Sequence, residues 1–162
     1  MLFQIEEPDG RPTEYGEGIG AAIGIDLSQA RGTVAVAIGG NAELLRSRDG
    51  EPGPATGGLR DASGRFLAAP TSAALLELRV LAERALARPV THAVIAIREP
   101  IDAAMRDTLD TAARACALVV TRILSDVEAA NRVENASSAH ASTLGAALAA
   151  EDDTLALRPA NL

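Results

Sequence analysis

Apolar and polar positions follow two rhythms along the chain. Ala22–Leu27, Thr33–Ile38 and Ala42–Arg46 are short apolar-rich runs joined by connections of hairpin length, Ser28–Gly32 and Gly39–Asn41. Gly39-Gly40-Asn41 has turn chemistry, and the pattern predicts three successive strands. A helical rhythm follows: Leu75, Leu76, Leu78, Val80, Leu81 and Leu86 give Ser72–Arg88 a broad apolar face, with Thr71 as the expected cap and Pro89 as the stop. Val90–Ile97 is apolar on both faces, the signature of a central strand. Asp102 is placed to cap a helix reaching about Ala117, whose inner side carries Ala104, Met105, Leu109, Ala112, Ala113 and Cys116. Val119–Leu124 reads as a further strand, a short helix starts near Asp126, and an alanine-rich helix runs from about Ala139 to Ala150. The order β-β-β-α-β-α-β-α-α predicts an α/β domain: a mixed five-stranded sheet with helices on both faces.

Outside this core lie three irregular stretches. Residues 1–20 carry Glu6, Glu7, Asp9, Glu14 and Glu17 among prolines and glycines, and read as a flexible acidic tail. Glycines 16, 18 and 20 miss the G-x-G-x-x-G spacing and follow no strand, so no dinucleotide site is indicated. Between Ser47 and Pro70 glycine and proline dominate, which predicts a long loop. Residues 151–162 are expected to form a C-terminal tail, leaving 21–150 as the folded domain.

With 162 residues and a hydrophobic fraction of 48%, the chain is long enough to bury one core. Aromatics are only 2%, so that core must be built from Ala, Val, Ile and Leu. A net charge of −7 argues against a nucleic-acid partner, and scarce aromatics remove the stacking platforms of single-strand binders. Every one of the 15 basic residues is arginine. Cys116 is the lone cysteine, which rules out an internal disulfide and reads as a small buried hydrophobe. His92 and His140 have no partner at ligand spacing, so no metal site is expected. Asn135-Ala136-Ser137 matches a short glycosylation sequon. No run is long enough to span a membrane, and the first residues lack the features of a signal peptide, which implies a cytoplasmic location by default.

Three blocks of the chain resemble the DnaK-type heat-shock chaperones of the actin-like ATPase superfamily. Ala22-Ile23-Gly24-Ile25-Asp26-Leu27, a turn, and Thr33–Ile38 look like the family's opening hairpin. Pro89-Val90-Thr91-His92-Ala93-Val94-Ile95-Ala96-Ile97 is similar to its P-V-T-x-A-V-I-T-V strand. Arg106, Ala112, Arg114, Leu118, Val120, Arg122 and Ile123 then align without a gap. Asp126 with Ala129-Ala130 stands where the family reads N-E-P-T-A-A-A, and Ala141-Ser142-Thr143-Leu144-Gly145-Ala146-Ala147 resembles its A-V-A-x-G-A-A helix. The resemblance implies a single actin-like, ribonuclease H-like subdomain: the inner subdomain of the first nucleotide-binding lobe. The loop at 47–70 would replace one family insertion, and residues 131–138 would replace the second lobe.

The same resemblance implies lost chemistry. The family's phosphate turn is glycine followed by two threonines or serines, whereas Ser28, Gln29 and Ala30 stand here. The second phosphate loop and the adenosine pocket belong to parts without a counterpart, and no lysine is present to match the family's hydrolytic one. Asp26, Ser28, Gln29 and Asp126 are then vestigial nucleotide-site positions, with a polar strand end and a helix N-cap as the plain structural roles of the two acids. No cofactor is expected.

Two functions compete. The first is a catalytically silent interaction or chaperone-accessory module. It would bind a protein partner, or dimerise, through the surface uncovered by loss of the second lobe, at Ala30, Arg31, Arg132, Leu144 and Leu148. The second is an ATP/ADP-binding switch completed in trans by another subunit. A third reading, a small unit that polymerises, lacks the subdomains that would form its longitudinal contacts.

Overall fold

The computed structural model describes residues 20–157; the expected acidic tail at 1–19 and residues 158–162 lie outside the described part. Five strands form one mixed sheet: β1 (Ala21–Asp26), β2 (Thr33–Ile38), β3 (Asn41–Leu45), β4 (Val90–Ile97) and β5 (Val119–Ser125). Their spatial order is β3-β2-β1-β4-β5. The first three strands form an antiparallel meander, while β4 joins β1 in parallel and β5 joins β4 in parallel. Four helices complete the domain: α1 (Ala68–Leu86), α2 (Ala103–Ala115), α3 (Asp126–Ala130) and α4 (Ala141–Leu157). The expected α/β class, mixed five-stranded sheet and helices on both faces are what the structure has.

The two-residue period of the strands divides the core. Ile23 and Ile25 of β1, with Ala93, Ile95 and Ile97 of β4, pack beneath Leu75 and Leu78 of α1 and Leu109 of α2. Val94 and Ala96 point the other way, against Ala146, Ala149 and Ala150 of α4. Small residues let this second layer close almost backbone to backbone. A Cβ added to Gly24 would stand 2.1 Å from the Ala147 nitrogen, and one added to Gly145 would stand 1.6 Å from the Ala129 carbonyl oxygen.

Several boundaries differ from the sequence expectation. Thr71 does not cap α1; the helix starts at Ala68 after Leu67, and the Thr71 N–H already bonds the Leu67 carbonyl at 3.1 Å. Pro70 falls in the first turn, where a missing N–H leaves no intrahelical bond unmade, so it does not delay the start. Asp126 is not a cap either: the Ser125 hydroxyl accepts the Glu128 N–H at 3.0 Å, and Asp126 is the first helical residue. Asp102 does cap α2, accepting the Met105 N–H at 2.8 Å. The last helix does not stop near Ala150 but continues to Leu157, so residues 151–157 are helix rather than tail. Buried Thr154 and the Asp153 pairing with Arg122 hold that extension on the domain.

The loop at 47–67 is better packed than its composition suggests. Leu59 and Phe66 are buried in the main core, and short bridges join Arg31 to Ala55 and Arg60 to Phe66. Cys116 is buried, its thiol donates to the Ala113 carbonyl at 3.2 Å, and burial pushes its pKa up, as a small core residue requires.

Candidate functional site

The carboxyl ends of β1, β4 and β5 meet the start of α4, and a groove of about 250 Å³ opens there. Open α/β sheets place ligand sites at this edge because loops and helix starts converge on it. The groove is lined by Ser28 and Gln29 of the β1–β2 turn, Arg98 after β4, Asp126 and Val127 of α3, and Ser142 of α4. Three of the four expected nucleotide-site residues, Ser28, Gln29 and Asp126, therefore share one groove.

Asp26 does not line it. This residue ends β1 fully buried, and both carboxylate oxygens are occupied by its own chain. Oδ1 accepts the Ser28 N–H at 2.8 Å and the Ser28 hydroxyl at 2.6 Å. Oδ2 accepts the Ser142 hydroxyl and, at 3.4 Å, the Thr143 hydroxyl. Two carboxylate oxygens offer roughly four lone-pair positions, so these four donors use the group's capacity. Thr143 also bonds Thr33 at 2.7 Å, extending the network from β1 across to β2. The serines thus form a wall between Asp26 and the groove, with their hydroxyl hydrogens turned inward.

The turn above is tied down as well. The Gln29 amide donates to the Ala139 carbonyl at 2.9 Å, and the Gln29 carbonyl accepts the Thr56 hydroxyl. Thr56 N–H bonds the Ala30 carbonyl at 3.0 Å, and Arg31 reaches the Gly53 carbonyl at 3.3 Å. Arg98 Nε donates to the Ser28 carbonyl at 2.7 Å, leaving the rest of its guanidinium toward the groove edge. A second arginine, Arg60, stacks over the Phe66 ring at 4.3 Å; burial and the nearby Arg98 charge hold its pKa below the usual value.

The expected partner surface divides. Ala30 and Arg31 are exposed at the turn, and Arg132 is exposed while pairing with Asp152 at 3.6 Å. Leu144 and Leu148 do not belong with them, because both are half-buried against the cluster of Ala35 and Ala37 of β2 with Ala147. From Ala141 to Ala150 α4 is covered by the sheet and by α3, whereas Leu155 and Leu157 in its last turns are exposed. Val127 is 60% exposed beside the groove.

Sequence reasoning missed Arg98, Ser142, Thr143 and Val127. Arg98 directly follows the most apolar strand, which is signal enough to place it at the active edge of a sheet. Ser142-Thr143 is an adjacent hydroxyl pair in the first turn of a helix whose next seven residues are all apolar or glycine. Among the described residues no group of three or more His, Cys, Asp and Glu is placed to hold a metal ion, and no helix is long and apolar enough to cross a membrane. Compared with known families and with curated proteins, the chain matches no family model and none of those proteins.

Proposed function

We propose that this domain is a catalytically silent relative of the DnaK-type chaperone ATPases, acting as a protein-interaction or chaperone-accessory module. One observation carries the reading: Asp26 lies behind Ser28 and Ser142 with four hydrogen bonds to its own chain. An acid that must hold a metal-bound water needs lone pairs facing the ligand. Releasing Asp26 for that work would strand buried hydroxyls and an N–H, at a cost of about 1–3 kcal/mol for each group left unpaired. Its role here is to fasten the β1–β2 turn onto α4.

The partner surface in this reading is the exposed rim of the groove: Gln29, Ala30 and Arg31 at the turn, Val127 on α3, and Arg132 beyond it. Val127 supplies the large exposed apolar side chain of this rim, among polar and charged neighbours. The partner is a protein, or a second copy of the chain, and the reading carries with it the cytoplasmic location expected above. Sedimentation and cross-linking of the full chain, alone and with DnaK-type chaperones, test it. The expected result is a complex or dimer that Val127→Asp disrupts without loss of fold. A chain that stays monomeric and unbound in every mixture would overturn it.

A second reading remains specific. Ser28, Gln29 and Asp126 face one groove, which favours a residual nucleotide switch completed in trans. Calorimetry with Mg-ATP and Mg-ADP, with and without the partner, separates the two: heat only in the partner's presence supports the switch.

A further inference from the structure

Three large apolar side chains stay exposed at the foot of the sheet, the end opposite the groove: Val119 at 53%, Leu155 at 55% and Leu157 at 53%. Val119 opens β5 on the face that carries Thr121, since residues two apart share a face, and Thr121 bonds Asp153 of α4 at 3.0 Å. Leu157 follows Asp153 by one helical turn, so it comes down the same flank of α4 toward Val119, with Leu155 in the same last turn. The acids just before that turn are already engaged. Glu151 accepts the Gly40 N–H at 2.8 Å, Asp152 pairs with Arg132 at 3.6 Å, and Asp153 pairs with Arg122. The chain enters the fold beside this patch: Gly20 N–H donates to Thr91 Oγ1 at 2.8 Å, and His92, the next residue, is the ladder partner of Val119.

We propose that this patch is the docking site of the chain's own Leu2-Phe3-Gln4-Ile5. These residues lie outside the described part and form an apolar run ahead of the acidic residues Glu6 to Glu17; Phe3 is one of two phenylalanines in the protein. Fourteen residues, 6–19, join the run to Gly20. A coil of that length spans about 20 Å on average, while Val119 stands two strands, or about 10 Å, from the strand that Gly20 leads into. The tether makes docking intramolecular, at an effective concentration on the order of millimolar. Patch size favours this occupant over a second copy, because three half-exposed aliphatic side chains stand against roughly 20–30 residues on each side of a stable interface. One phenyl ring, with about 150–250 Å² to bury, matches them. Charge agrees as well. Glu6 and Glu7 follow the apolar run, and Arg88, exposed at the foot of β4, pairs with no carboxylate among the described residues.

The full chain, with methyl-labelled valine and leucine, is followed by NMR at low concentration. Nuclear Overhauser contacts are expected from the Phe3 ring to the methyls of Val119 and Leu157, with ring-current shifts of the same methyls. Phe3→Ser is expected to remove both and to speed amide exchange at 154–157 about threefold or more, leaving exchange in β1 and β4 unchanged. Val119→Ser, at an exposed position, is the reciprocal variant and is expected to return the Phe3 ring signals to those of a solvated phenylalanine. A mixture of labelled Phe3→Ser chain with unlabelled wild type tests the source of the segment. Contacts or shifts restored in that mixture would put the segment of a second copy on the patch and overturn the proposal. Methyl signals identical in wild type and Phe3→Ser would overturn it too, whether the patch is bare or covered by residues 158–162 or by another protein.

Discussion

Ser142, in the first turn of α4, donates its hydroxyl hydrogen to Asp26 at the end of β1, across 116 positions of chain. The contact is buried on both sides and joins the strand that begins the domain to the helix that closes it. Asp26→Asn, which turns an acceptor into a donor facing other donors, is expected to lower unfolding free energy by about 3 kcal/mol. Ser142→Ala removes one charge-assisted bond and should lower it by about 1.5 kcal/mol. Urea unfolding of the three proteins checks both, and a loss below ~0.5 kcal/mol for Asp26→Asn would mean the network does not hold the fold.

The tight seating of α4 makes a second prediction. Ala at Gly24 or Gly145 puts a Cβ well inside the van der Waals distance of backbone atoms that have no rotamer to escape through. Either substitution is expected to lower stability by about 3 kcal/mol or more, beyond ordinary overpacking. Near-ultraviolet signal is weak in a chain so poor in aromatics, so far-ultraviolet thermal melts are the measurement. A melting temperature within a degree of wild type would contradict the backbone-to-backbone packing.

Ala87 and Ala117 adopt left-handed backbone conformations, with φ of 53° and 59°, just past the ends of α1 and α2. Glycine occupies such positions without the Cβ penalty. Ala87→Gly and Ala117→Gly are therefore expected to raise stability by about 0.5–1 kcal/mol each, measured by urea unfolding, even though glycine usually weakens a folded chain. Destabilisation by either would show that the loss of unfolded-state restriction outweighs relief of strain.

His92 makes stability depend on pH. Burial holds its imidazole below the ordinary value, so the folded protein keeps it neutral while the unfolded chain takes up a proton at about 6.5. The unfolded state then binds more protons below that value, and stability falls as pH drops from about 7 toward the lowered folded pKa. His92→Gln should flatten this part of the profile between pH 7.5 and 5.5. A wild-type profile that rises on acidification in the same window would reverse the sign and sink the argument.

How much of this was legible from residue order depends on the range of the interaction. The strands were readable because each is a continuous apolar run, and β4 as an interior one because both its faces are apolar, although the middle place in the sheet belongs to β1. The start of α1 was misplaced because Pro70 looks like a boundary, although a proline in the first turn costs nothing. The end of α4 was misplaced because Glu151, Asp152 and Asp153 resemble a solvated tail. In the structure Asp153 instead bonds Thr121 and Arg122, residues some thirty positions earlier. At the site the order of residues marked Asp26, Ser28, Gln29 and Asp126, but not which of them face open space. That depends on Ser142 and Thr143, whose place beside Asp26 is set only when α4 folds across the sheet.

The central claim, that Asp26 fastens the fold and no longer serves a nucleotide, is tested most directly by unfolding the full chain in urea with and without Mg-ATP. A ligand bound to the folded state at a hundred times its Kd would raise stability by about 2.7 kcal/mol. The expected result is an unchanged midpoint at millimolar Mg-ATP. A clear upward shift that Asp26→Asn abolishes would contradict the account.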